Sequence, residues 1–410
     1  MDERPGTNPG TVNKELWLFT RQYPQGRGEA FLESALPVWA AQFERVHIVP
    51  MFPGDGEVEL PAGVEVHRLW TDAFETSSVL RTLGSVPEVV RTMHSRAGVG
   101  VGSLAELPET LSHARQLLRR ADTLEQELMP RYDPRSTALL TTWMEDWVNV
   151  LGLLRQRHHQ LHFTSMAHGW DLYEHRRPAG YIPYRAAQME QVDQVICISE
   201  VGRDHLRARF PRQAHKVNMA HLGTRDRGVG PWEPSSELRL VSCAYLRSPK
   251  RIDRIAAALR KMERPVHWIH FGDGPDLDHL RSAVKGMPAH VRVELRGAVP
   301  NEAVLEHYRT HPVDLFVLMS EDEGVPVALM EAASFGVPLV ANDVGGVKAV
   351  VTPESGVLLP ADADAVMLAR ALEQEGAQRA ADPAFRSGVR AFWARCFEAG
   401  VNYSAIARMV

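Results

Sequence analysis

The sequence has little that would mark a secreted, membrane-spanning or cysteine-clustered protein. It contains only three cysteines, Cys197, Cys243 and Cys396, which are far apart and form no CxxC or metal-spaced group. No apolar run approaches the roughly 20 residues of a membrane span, and the opening MDERPGTNPGTVNKE lacks the apolar core of a signal peptide. We therefore predict reduced, buried cysteines in a cytoplasmic protein that is neither secreted nor transmembrane.

The chain also lacks a strong excess of charge of either sign. Its formal net charge is -5 and its pI is near 6.4, which excludes a field that would attract nucleic acid. Five arginines nevertheless lie close together in one stretch of the first half. They are Arg91, Arg96, Arg115, Arg119 and Arg120. A solvated helix face is the favoured interpretation. The alternative is contact with a phosphate-bearing acceptor or with anionic lipid at the inner face of a membrane.

What the chain does have is the length and composition of a two-domain globular enzyme. Its 410 residues exceed one comfortable core, and 44% are hydrophobic against 24% charged. We predict a disordered lead-in at 1–14 and a first domain at 15–227 with a helical insertion at about 71–140. A Gly, Pro and Ser-rich linker at 228–237 should separate it from a second domain at 238–384. A helical segment at 385–410 is then expected to cross back to the first domain.

Strand and helix patterns alternate in both halves of the sequence. In the first half, apolar strands such as ELWLFT (15–20), RVHIVPMF (45–52) and QVICIS (194–199) are separated by helical patterns. After the linker the alternation restarts at LRLVSCAYL (238–246) and continues to PLVAND (338–343). This α/β order predicts two doubly wound, Rossmann-like domains built on parallel sheets.

The most informative window is DLFVLMSEDEGVPVALMEAASFGVPLVANDVGG (314–346). An apolar strand ends at Ser320, an acidic loop follows, Pro326 opens a helix and Gly336 closes it. The loop is thus expected at the carboxyl edge of the sheet, where open α/β sheets bind ligands. Amide groups near Val327 and Ala328 would form a site for a diphosphate there.

Two carboxylates flank this predicted site. Glu323 lies in the loop and Glu331 lies in the helix. A carboxylate accepts hydrogen bonds in pairs, which suits each for the vicinal hydroxyls of a ribose or a hexose. Glutamate is common on helices, so the surrounding strand, Gly-Val-Pro loop and helix carry the signal.

These residues resemble a known family. EDEGVPVALMEAASFGVPLVANDVGG is similar to the E-x7-E signature of the family-4 glycosyltransferases of GT-B fold, and AHGWDLYEHRRPAGYIPYR, CAYLRSPKRIDRI and HWIHFGDGP resemble a bacterial branch that builds capsule, exopolysaccharide or related cell-surface glycans. The region at about 71–140 carries no part of the resemblance. The resemblance implies two Rossmann-like domains that face each other across a cleft.

The resemblance also implies roles for residues of the second domain. Glu331 would hold the donor ribose, Glu323 would lie against the transferred sugar, and Lys250 would pair with the diphosphate, where charge develops as the nucleotide leaves. The family often has an arginine where this chain has Tyr245, and Arg247 is the candidate substitute. The predicted donor-binding set is completed by Gly324, Val325, Pro326, Val327, Ala328 and Ala298.

In the first domain, the resemblance assigns His168 of AHGWD to the donor sugar. Most isolated histidines are structural, but this one follows a strand and precedes Gly169 and Asp171. Gly26, Gly28 and Glu29 lie in the loop after the first strand and, with Asp171, form the predicted acceptor and cleft set. An ordinary tight turn is an equally favoured interpretation of that loop.

No metal site is predicted from the sequence. His158, His159 and His162 lack the carboxylate or cysteine partners of a known site. Asp362 and Asp364 form a D-x-D string ahead of a helical pattern, which helix capping explains better, and Asp273 is assigned to turn geometry. We expect no cofactor and no required metal.

The predicted function is transfer of a hexose-type sugar, with retention, from a nucleoside diphosphate sugar to a hydroxyl. The donor is expected to be UDP-linked, and the acceptor a glycan or lipid-linked precursor in cell-surface polysaccharide synthesis. Two alternatives stay open, namely a nucleotide-sugar epimerase or phosphorylase of the same fold and a non-catalytic partner subunit that binds glycan or donor.

Overall fold

Parallel strands and the helices between them form two separate units in a computed structural model of the chain. The structure describes residues 14–26, 28–54, 59–70, 107–177, 182 and 184–410, without the side chains of 107–112. The first unit, here the N-terminal domain, is Met1–Ala220 with Tyr403–Val410, and the second, here the C-terminal domain, is His221–Asn402. The division thus falls ahead of the predicted linker at 228–237. Of the terminal segment predicted at 385–410, only Tyr403–Val410 belongs to the N-terminal domain.

The N-terminal domain is built on a seven-stranded sheet with the order β3-β2-β1-β4-β5-β6-β7, in which every described pair is parallel. The strands are β1 (Glu15–Thr20), β2 (Arg45–Pro50), β3 (Val64–Val66), β4 (Thr137–Thr141), β5 (Thr164–Ala167), β6 (Gln194–Cys197) and β7 (Val217–Met219). The helices described between them are α1 (Phe31–Ala40), α2 (Leu107–Leu128), α3 (Asp146–Arg157), α4 (Arg185–Gln191) and α5 (Glu200–Arg209).

The C-terminal domain repeats this plan on a six-stranded sheet with the order β10-β9-β8-β11-β12-β13, again parallel throughout. The strands are β8 (Leu238–Cys243), β9 (Val266–Phe271), β10 (Val291–Leu295), β11 (Leu315–Leu318), β12 (Leu339–Asn342) and β13 (Gly356–Leu359). The helices are α6 (Ile252–Leu259), α7 (Leu277–Ala283), α8 (Asn301–Thr310), α9 (Val327–Ser334), α10 (Ala365–Ala371), α11 (Ala377–Ala381), α12 (Pro383–Cys396) and α13 (Ala399–Ala407), the last of which continues into the N-terminal domain. The prediction of two Rossmann-like domains is confirmed.

One central strand was missed by the sequence prediction. The region at about 71–140 was expected to be helical, and α2 bears this out in part, whereas residues 71–106 lie outside the described part of the chain. The assignment was wrong for β4, which pairs with β1 and β5 in the middle of the sheet. Its sequence TALLT is a short apolar run, and periodicity alone does not separate such a run from a buried helix.

The strand order places a crevice at the same point of each sheet. The chain reverses direction of winding between β1 and β4 in the N-terminal domain and between β8 and β11 in the C-terminal domain. Loops that leave the carboxyl ends of such neighbouring strands diverge to opposite faces and leave room for a ligand. The loops after these four strands are therefore the places where residues of a ligand site are expected.

The central strands are buried on both faces because helices cover each side of a parallel sheet. The side chains of β1 from Leu16 onward and all of those of β4 and β11 are buried. Such strands read as continuous apolar runs, which is the pattern that the sequence shows at WLF and LFVL. In the part of the chain that is described, no helix has the length and hydropathy for a membrane crossing.

Not all of the five clustered arginines of the first half lie at the surface. Arg91 and Arg96 lie outside the described residues, but Arg120 on α2 is buried, with its guanidinium 5.1 Å from the ring centre of Phe52 and 5.2 Å from that of Trp70. Burial lowers the pKa of Arg120. Arg120 thus fits neither a solvated face nor a lipid-facing one.

The prediction of buried cysteines is right for Cys197 and wrong for Cys243 and Cys396, which are partly buried, although all three are unpaired. Burial raises the pKa of the Cys197 thiol to about 12. The capping assignment of Asp364 is confirmed, since its Oδ1 accepts the Val366 and Met367 N–H groups, both at 2.8 Å, at the start of α10.

Candidate functional site

The loops after β8 and β11 bring a lysine and a glutamate together at the crevice of the C-terminal domain. Lys250 Nζ donates to Glu323 Oε1 at 2.7 Å, and Ser320 Oγ donates to the same oxygen at 2.6 Å. The carboxylate is 8% exposed, so this ion pair is formed largely out of water, where its interaction is stronger than at a surface. An ammonium group has three donors and can bridge from a carboxylate to a second anion.

Backbone and side-chain contacts hold these two loops together. The Glu321 N–H donates to the Pro249 carbonyl at 2.7 Å, and Arg251 binds the Glu321 carboxylate at the surface. Arg251 adopts φ +44°, in the left-handed region, directly after the turn that carries Lys250. The position of Lys250 is thereby fixed relative to Glu323.

Glycines after β12 allow a third loop to approach the glutamate loop. Gly345 has φ +52°, and a Cβ atom there would lie 1.9 Å from the Glu323 carbonyl oxygen. The neighbouring Gly346 N–H donates to the Gly324 carbonyl at 2.7 Å. Only glycine permits this contact, because any side chain at position 345 would collide with the Glu323 backbone. The loop after β12 thus packs directly against the backbone of the Glu323 loop.

The helix α9 begins directly after this loop. Pro326, with φ -70°, directly precedes the first residue of the helix, and no side chain caps this end. The first amide groups of a helix have no acceptor within the helix itself. Gly336 ends it with φ +76°, as predicted, and the Val337 N–H reaches back to the Ala332 carbonyl at 3.1 Å. The positive end of this helix lies next to Glu323 in sequence.

Glu331 is buried in the middle of α9. It is 9% exposed, and the Asn301 side-chain amide at the start of α8 donates to its Oε1 at 2.9 Å. Burial, reinforced by the charge of Glu331, raises the pKa of Cys243 to about 12 and that of Tyr308 well above its ordinary value. Glu331 therefore brings negative charge to the carboxyl end of β8, where Cys243 is the last residue.

The other donor-side candidates lie on the surface or in the loop itself. Val325 is buried, whereas Arg247 and Ala298 are exposed. Arg247 directly precedes the turn that carries Lys250, and its carbonyl accepts the Lys250 N–H at 2.8 Å. Tyr245, in the position where a charge was expected, is 62% exposed.

Glu29 organises the loop after β1 in the N-terminal domain. Its carboxylate accepts the N–H groups of Arg21, Gln22 and Tyr23 at 2.8–3.0 Å, and it is 1% exposed. It also accepts from Thr142 Oγ1 at 2.6 Å and from the Trp143 indole at 2.9 Å. With five donors already bound, Glu29 has the environment of a structural carboxylate rather than of an exposed acceptor for a sugar hydroxyl.

Asp171 and His168 connect the loops that follow β4 and β5. The two Asp171 oxygens accept the His168 and Met144 N–H groups, both at 2.8 Å, and Asp171 is fully buried. His168 Nε2 lies 2.9 Å from the Thr142 carbonyl oxygen. Because a carbonyl only accepts, Nε2 carries the proton and Nδ1 the lone pair.

The His168 ring is neutral and enclosed by aromatic side chains. Its centre is 4.4 Å from that of Trp143 and 4.7 Å from that of Phe31, and burial lowers its pKa. The structure thus brings His168, Glu29 and Asp171 together at the β1/β4 crevice, whereas Gly28 has open space around it and Gly26 packs against Gln22.

Sequence analysis missed several residues that support these groups. Ser320 and Asn301 orient the two glutamates, Gly345 admits the neighbouring loop, and Thr142 joins Glu29 to His168. Thr142 was hidden by the missed strand β4. The Gly-Gly pair after PLVAND was the one available signal for Gly345.

Comparison with known families gives a match over the C-terminal domain. Residues 237–374 match the family described as "Glycosyl transferases group 1". This range contains Lys250, Glu323 and Glu331, so the match covers the lysine and both glutamates. It covers about a third of the chain.

Relatives also match only in part. A UDP-N-acetylglucosamine–peptide N-acetylglucosaminyltransferase GtfA subunit of Streptococcus gordonii is 24% identical over 194 residues, which are 45% of this chain and 37% of that protein. An exopolysaccharide phosphotransferase of Streptomyces coelicolor is 36% identical over 189 residues, 45% of this chain and 19% of that protein. The chain therefore spans well under two thirds of the length of these relatives.

Solved structures match across nearly the whole chain. The lipopolysaccharide outer core galactosyltransferase WaaB superposes with a TM-score of 0.66 at 14% identity, covering 97% of this chain and 100% of that one. Anabaena HepE, solved in complex with UDP, gives a TM-score of 0.63 at 14% identity, covering 96% and 99%. The two Rossmann-like domains are therefore those of the GT-B glycosyltransferase fold.

Proposed function

We propose that this chain is a glycosyltransferase that moves a hexose-type sugar from a nucleoside diphosphate sugar to a hydroxyl acceptor. The observation that carries the proposal is the buried Lys250–Glu323 pair at the β8/β11 crevice, beside the start of a helix that contains the buried Glu331. One cation, one helix start and two carboxylates match the two phosphates and two sugar rings of such a donor.

In this proposal the phosphates bind next to the start of α9 and Lys250. As the bond to the anomeric carbon breaks, negative charge grows on the leaving phosphate, and a fixed ammonium and amide dipoles stabilise it most in that state. Glu331, oriented by Asn301, binds the ribose hydroxyls, and Glu323 binds hydroxyls of the transferred sugar.

We further propose retention of configuration without a protein nucleophile or a required metal. The acceptor oxygen attacks from the face that the nucleotide leaves, and the departing phosphate oxygen takes the acceptor proton. In this scheme Lys250 and Glu323 orient and stabilise. His168, neutral and with its lone pair on Nδ1, accepts a hydrogen bond from a sugar hydroxyl.

The identities of donor and acceptor are the most specific part of the proposal. A UDP-linked donor is supported by HepE, a neighbour of the same fold that was solved with UDP. A cell-surface polysaccharide precursor, glycan or lipid-linked, is supported by the exopolysaccharide name of the Streptomyces relative. We place the reaction in the cytoplasm, with peripheral contact at the inner face of the membrane when the acceptor is lipid-linked.

A turnover assay tests the proposal. Release of nucleoside diphosphate from a panel of nucleotide sugars, with and without glycan acceptors, should depend on acceptor and should fall about 100-fold in Glu323→Gln and in Glu331→Gln. Glu354→Gln is the matched control, since this carboxylate of the same domain pairs only at the surface, with Arg395, and has no part in the loops of the site. Unchanged rates in both site variants would refute the assignment.

The same assay separates the alternatives. A nucleotide-sugar epimerase would interconvert the donor with no acceptor and no nucleotide release, and a phosphorylase would need inorganic phosphate. A non-catalytic partner subunit would bind donor without turnover on any acceptor. The subunit name of the Streptococcus gordonii relative makes this last alternative worth testing with a co-purified partner.

A further inference from the structure

A cluster of two histidines and a glutamate lies on two neighbouring strands of the N-terminal domain, β2 and β3. His47 belongs to β2, Glu65 is its direct partner on β3, and His67 follows the end of β3. One ligand atom from each lies within 4.8 Å of the others, the one such group among the described residues.

The separations between these atoms suit a tetrahedral ion. His47 Nδ1 is 2.9 Å from His67 Nε2, while Glu65 Oε2 is 3.7 Å from the former and 3.9 Å from the latter. Ligand atoms at about 2.0–2.1 Å from Zn²⁺ in tetrahedral geometry are about 3.4 Å apart. Shifts of about half an ångström in each pair convert the observed triangle into that arrangement.

The remaining ring nitrogen of each histidine faces a carboxylate. His47 Nε2 is 3.6 Å from Glu15 Oε2, and His67 Nδ1 is 3.4 Å from Glu127 Oε1 on α2. Metal-binding histidines characteristically donate their second N–H to a carboxylate, which fixes the ring and strengthens the metal bond. Glu127 is close enough to His67 for such a hydrogen bond, whereas Glu15 lies just beyond hydrogen-bond distance of the buried His47 Nε2.

Packing fixes the rings while one ligand stays open to solvent. The Trp17 ring stacks on His47 at 4.6 Å and on His67 at 5.0 Å. The side chain of His47 is 3% exposed, whereas that of Glu65 is 57% exposed. An ion can therefore enter past Glu65 and meet two preoriented imidazoles.

The surrounding charges favour a cation. Besides Glu65, the carboxylates of Glu15 and Glu127 face the cluster, and each also pairs with an arginine on its outer side, Arg45 and Arg131 respectively. Three carboxylates against two arginines leave one net negative charge near neutral imidazoles. This net charge attracts a cation to the two imidazoles, and Glu65 offers it a direct anionic ligand.

We propose that His47, Glu65 and His67, with solvent water as the fourth ligand, bind a divalent transition metal ion, Zn²⁺ by its ligand chemistry. Two imidazoles and a carboxylate suit zinc better than calcium or magnesium, which prefer oxygen ligands. The site ties the three-residue edge strand β3 to β2, and through Glu127 to α2. It lies on β2 and β3 of the N-terminal domain, whereas Lys250, Glu323 and Glu331 belong to the C-terminal domain, so it is independent of the proposed donor binding.

The test is zinc titration of untagged, chelator-stripped protein against a chromophoric competitor. We expect one tight site per chain, weakened at least 100-fold in His67→Ala and Glu65→Ala, and about 10–100-fold in Glu127→Gln, which acts through His67. Substitution with Co²⁺ should give a tetrahedral absorption spectrum that disappears in the same variants.

The matched control is His267→Ala. His267 also sits on a strand and binds a glutamate of the next strand, Glu294, at 2.8 Å, but Arg292 rather than a second histidine completes its surroundings. This variant should keep the full site. Should His67→Ala not fold, Glu65→Gln, altered at an exposed side chain, replaces it.

Two results would overturn the proposal. One is the absence of any site in wild-type protein tighter than millimolar, in which case His47 and His67 simply share a hydrogen bond. The other is a site whose affinity is unchanged in Glu65→Gln and His67→Ala. Neither result would bear on donor binding by Lys250 and Glu323.

Discussion

At the scale of single residues, the environment of a side chain decides its role more than its type does. Glu29 and Glu323 are both buried glutamates in loops after central strands, yet Glu29 binds backbone amides of its own loop whereas Glu323 binds a lysine from a neighbouring loop. The former arrangement stabilises a fold. The latter places opposite charges at the edge where ligands bind.

The structural role of Glu29 gives the first prediction. Glu29→Gln replaces an oxygen acceptor by an N–H donor among the Arg21, Gln22 and Tyr23 amides, which should lower the stability of the N-terminal domain by about 3 kcal/mol. Chemical denaturation followed by tryptophan fluorescence measures the change. Glu44→Gln, at an exposed glutamate, is the control and should leave the stability unchanged. If Glu29→Gln also left the stability unchanged, the structural role of Glu29 would be wrong, and a contact with the acceptor would again be the better interpretation.

A second residue-scale prediction concerns pH. His270 is fully buried on β9, and burial lowers its pKa from 6.5 to about 4. The unfolded chain therefore binds a proton below pH 6.5 that the folded chain takes up only near pH 4, so stability falls as the pH falls through this window. The contribution is roughly 2 kcal/mol between pH 7 and pH 4.5.

His270→Gln provides the comparison for that prediction. The amide can still bond Ser242, which lies 2.8 Å from His270 Nδ1, but it does not titrate. Unfolding of the C-terminal domain should depend less steeply on pH in this variant than in wild type. Parallel pH profiles for the two proteins would contradict the assignment.

At the scale of elements, the site depends on contacts among three loops, which follow β8, β11 and β12. The sequence predicted the strand, loop and helix of 314–346 because apolar runs, Pro326 and Gly336 are local signals. It did not predict that the loop after β12 packs against the Glu323 carbonyl, because that contact joins residues distant in the chain. Strand β4 was missed for a different reason, because its five residues are too few to show a strand period.

Gly345 tests this three-loop arrangement. Gly345→Ala would drive a Cβ into the Glu323 carbonyl, displace the loop, and cost about 3 kcal/mol, with loss of donor binding. Gly286→Ala is matched to it, since Gly286 also has positive φ, +61°, but open space around it, so only about 1 kcal/mol is expected.

Thermal unfolding together with nucleotide binding reads out both variants. The account requires Gly345→Ala to lose stability and binding, while Gly286→Ala keeps full binding. Equal behaviour of the two proteins would mean that positive φ alone, and not the contact with Glu323, makes glycine necessary at position 345.

At the scale of the whole molecule, the last residues of the chain belong to its first domain. Tyr403 is fully buried there, its hydroxyl donates to the Phe31 carbonyl at 3.2 Å, and its own carbonyl accepts the Trp39 indole N–H at 3.0 Å. The sequence predicted that the segment at 385–410 crosses back to the first domain, but helical amphipathicity does not show which of its residues join that core.

Tyr403→Ala should therefore weaken the N-terminal domain. Loss of a buried aromatic ring typically costs about 3–5 kcal/mol, and the opening should be local to the helix Phe31–Ala40. Hydrogen exchange by mass spectrometry would show faster exchange in that helix. Val401→Ala, at a residue that is 58% exposed, should leave exchange unchanged, and faster exchange confined to the C-terminal domain would count against the division described.

The central claim is that Lys250, held by Glu323 beside the start of α9, binds the diphosphate of a nucleotide. Calorimetric titration of UDP into wild type, Lys250→Ala and the surface control Lys261→Ala tests it most directly. The account predicts binding by wild type and control, and an affinity at least tenfold weaker in Lys250→Ala, as expected when a charge-assisted hydrogen bond worth about 1.5–3 kcal/mol is removed. Equal affinity in all three proteins, or no binding of any nucleoside diphosphate to wild type, would contradict it.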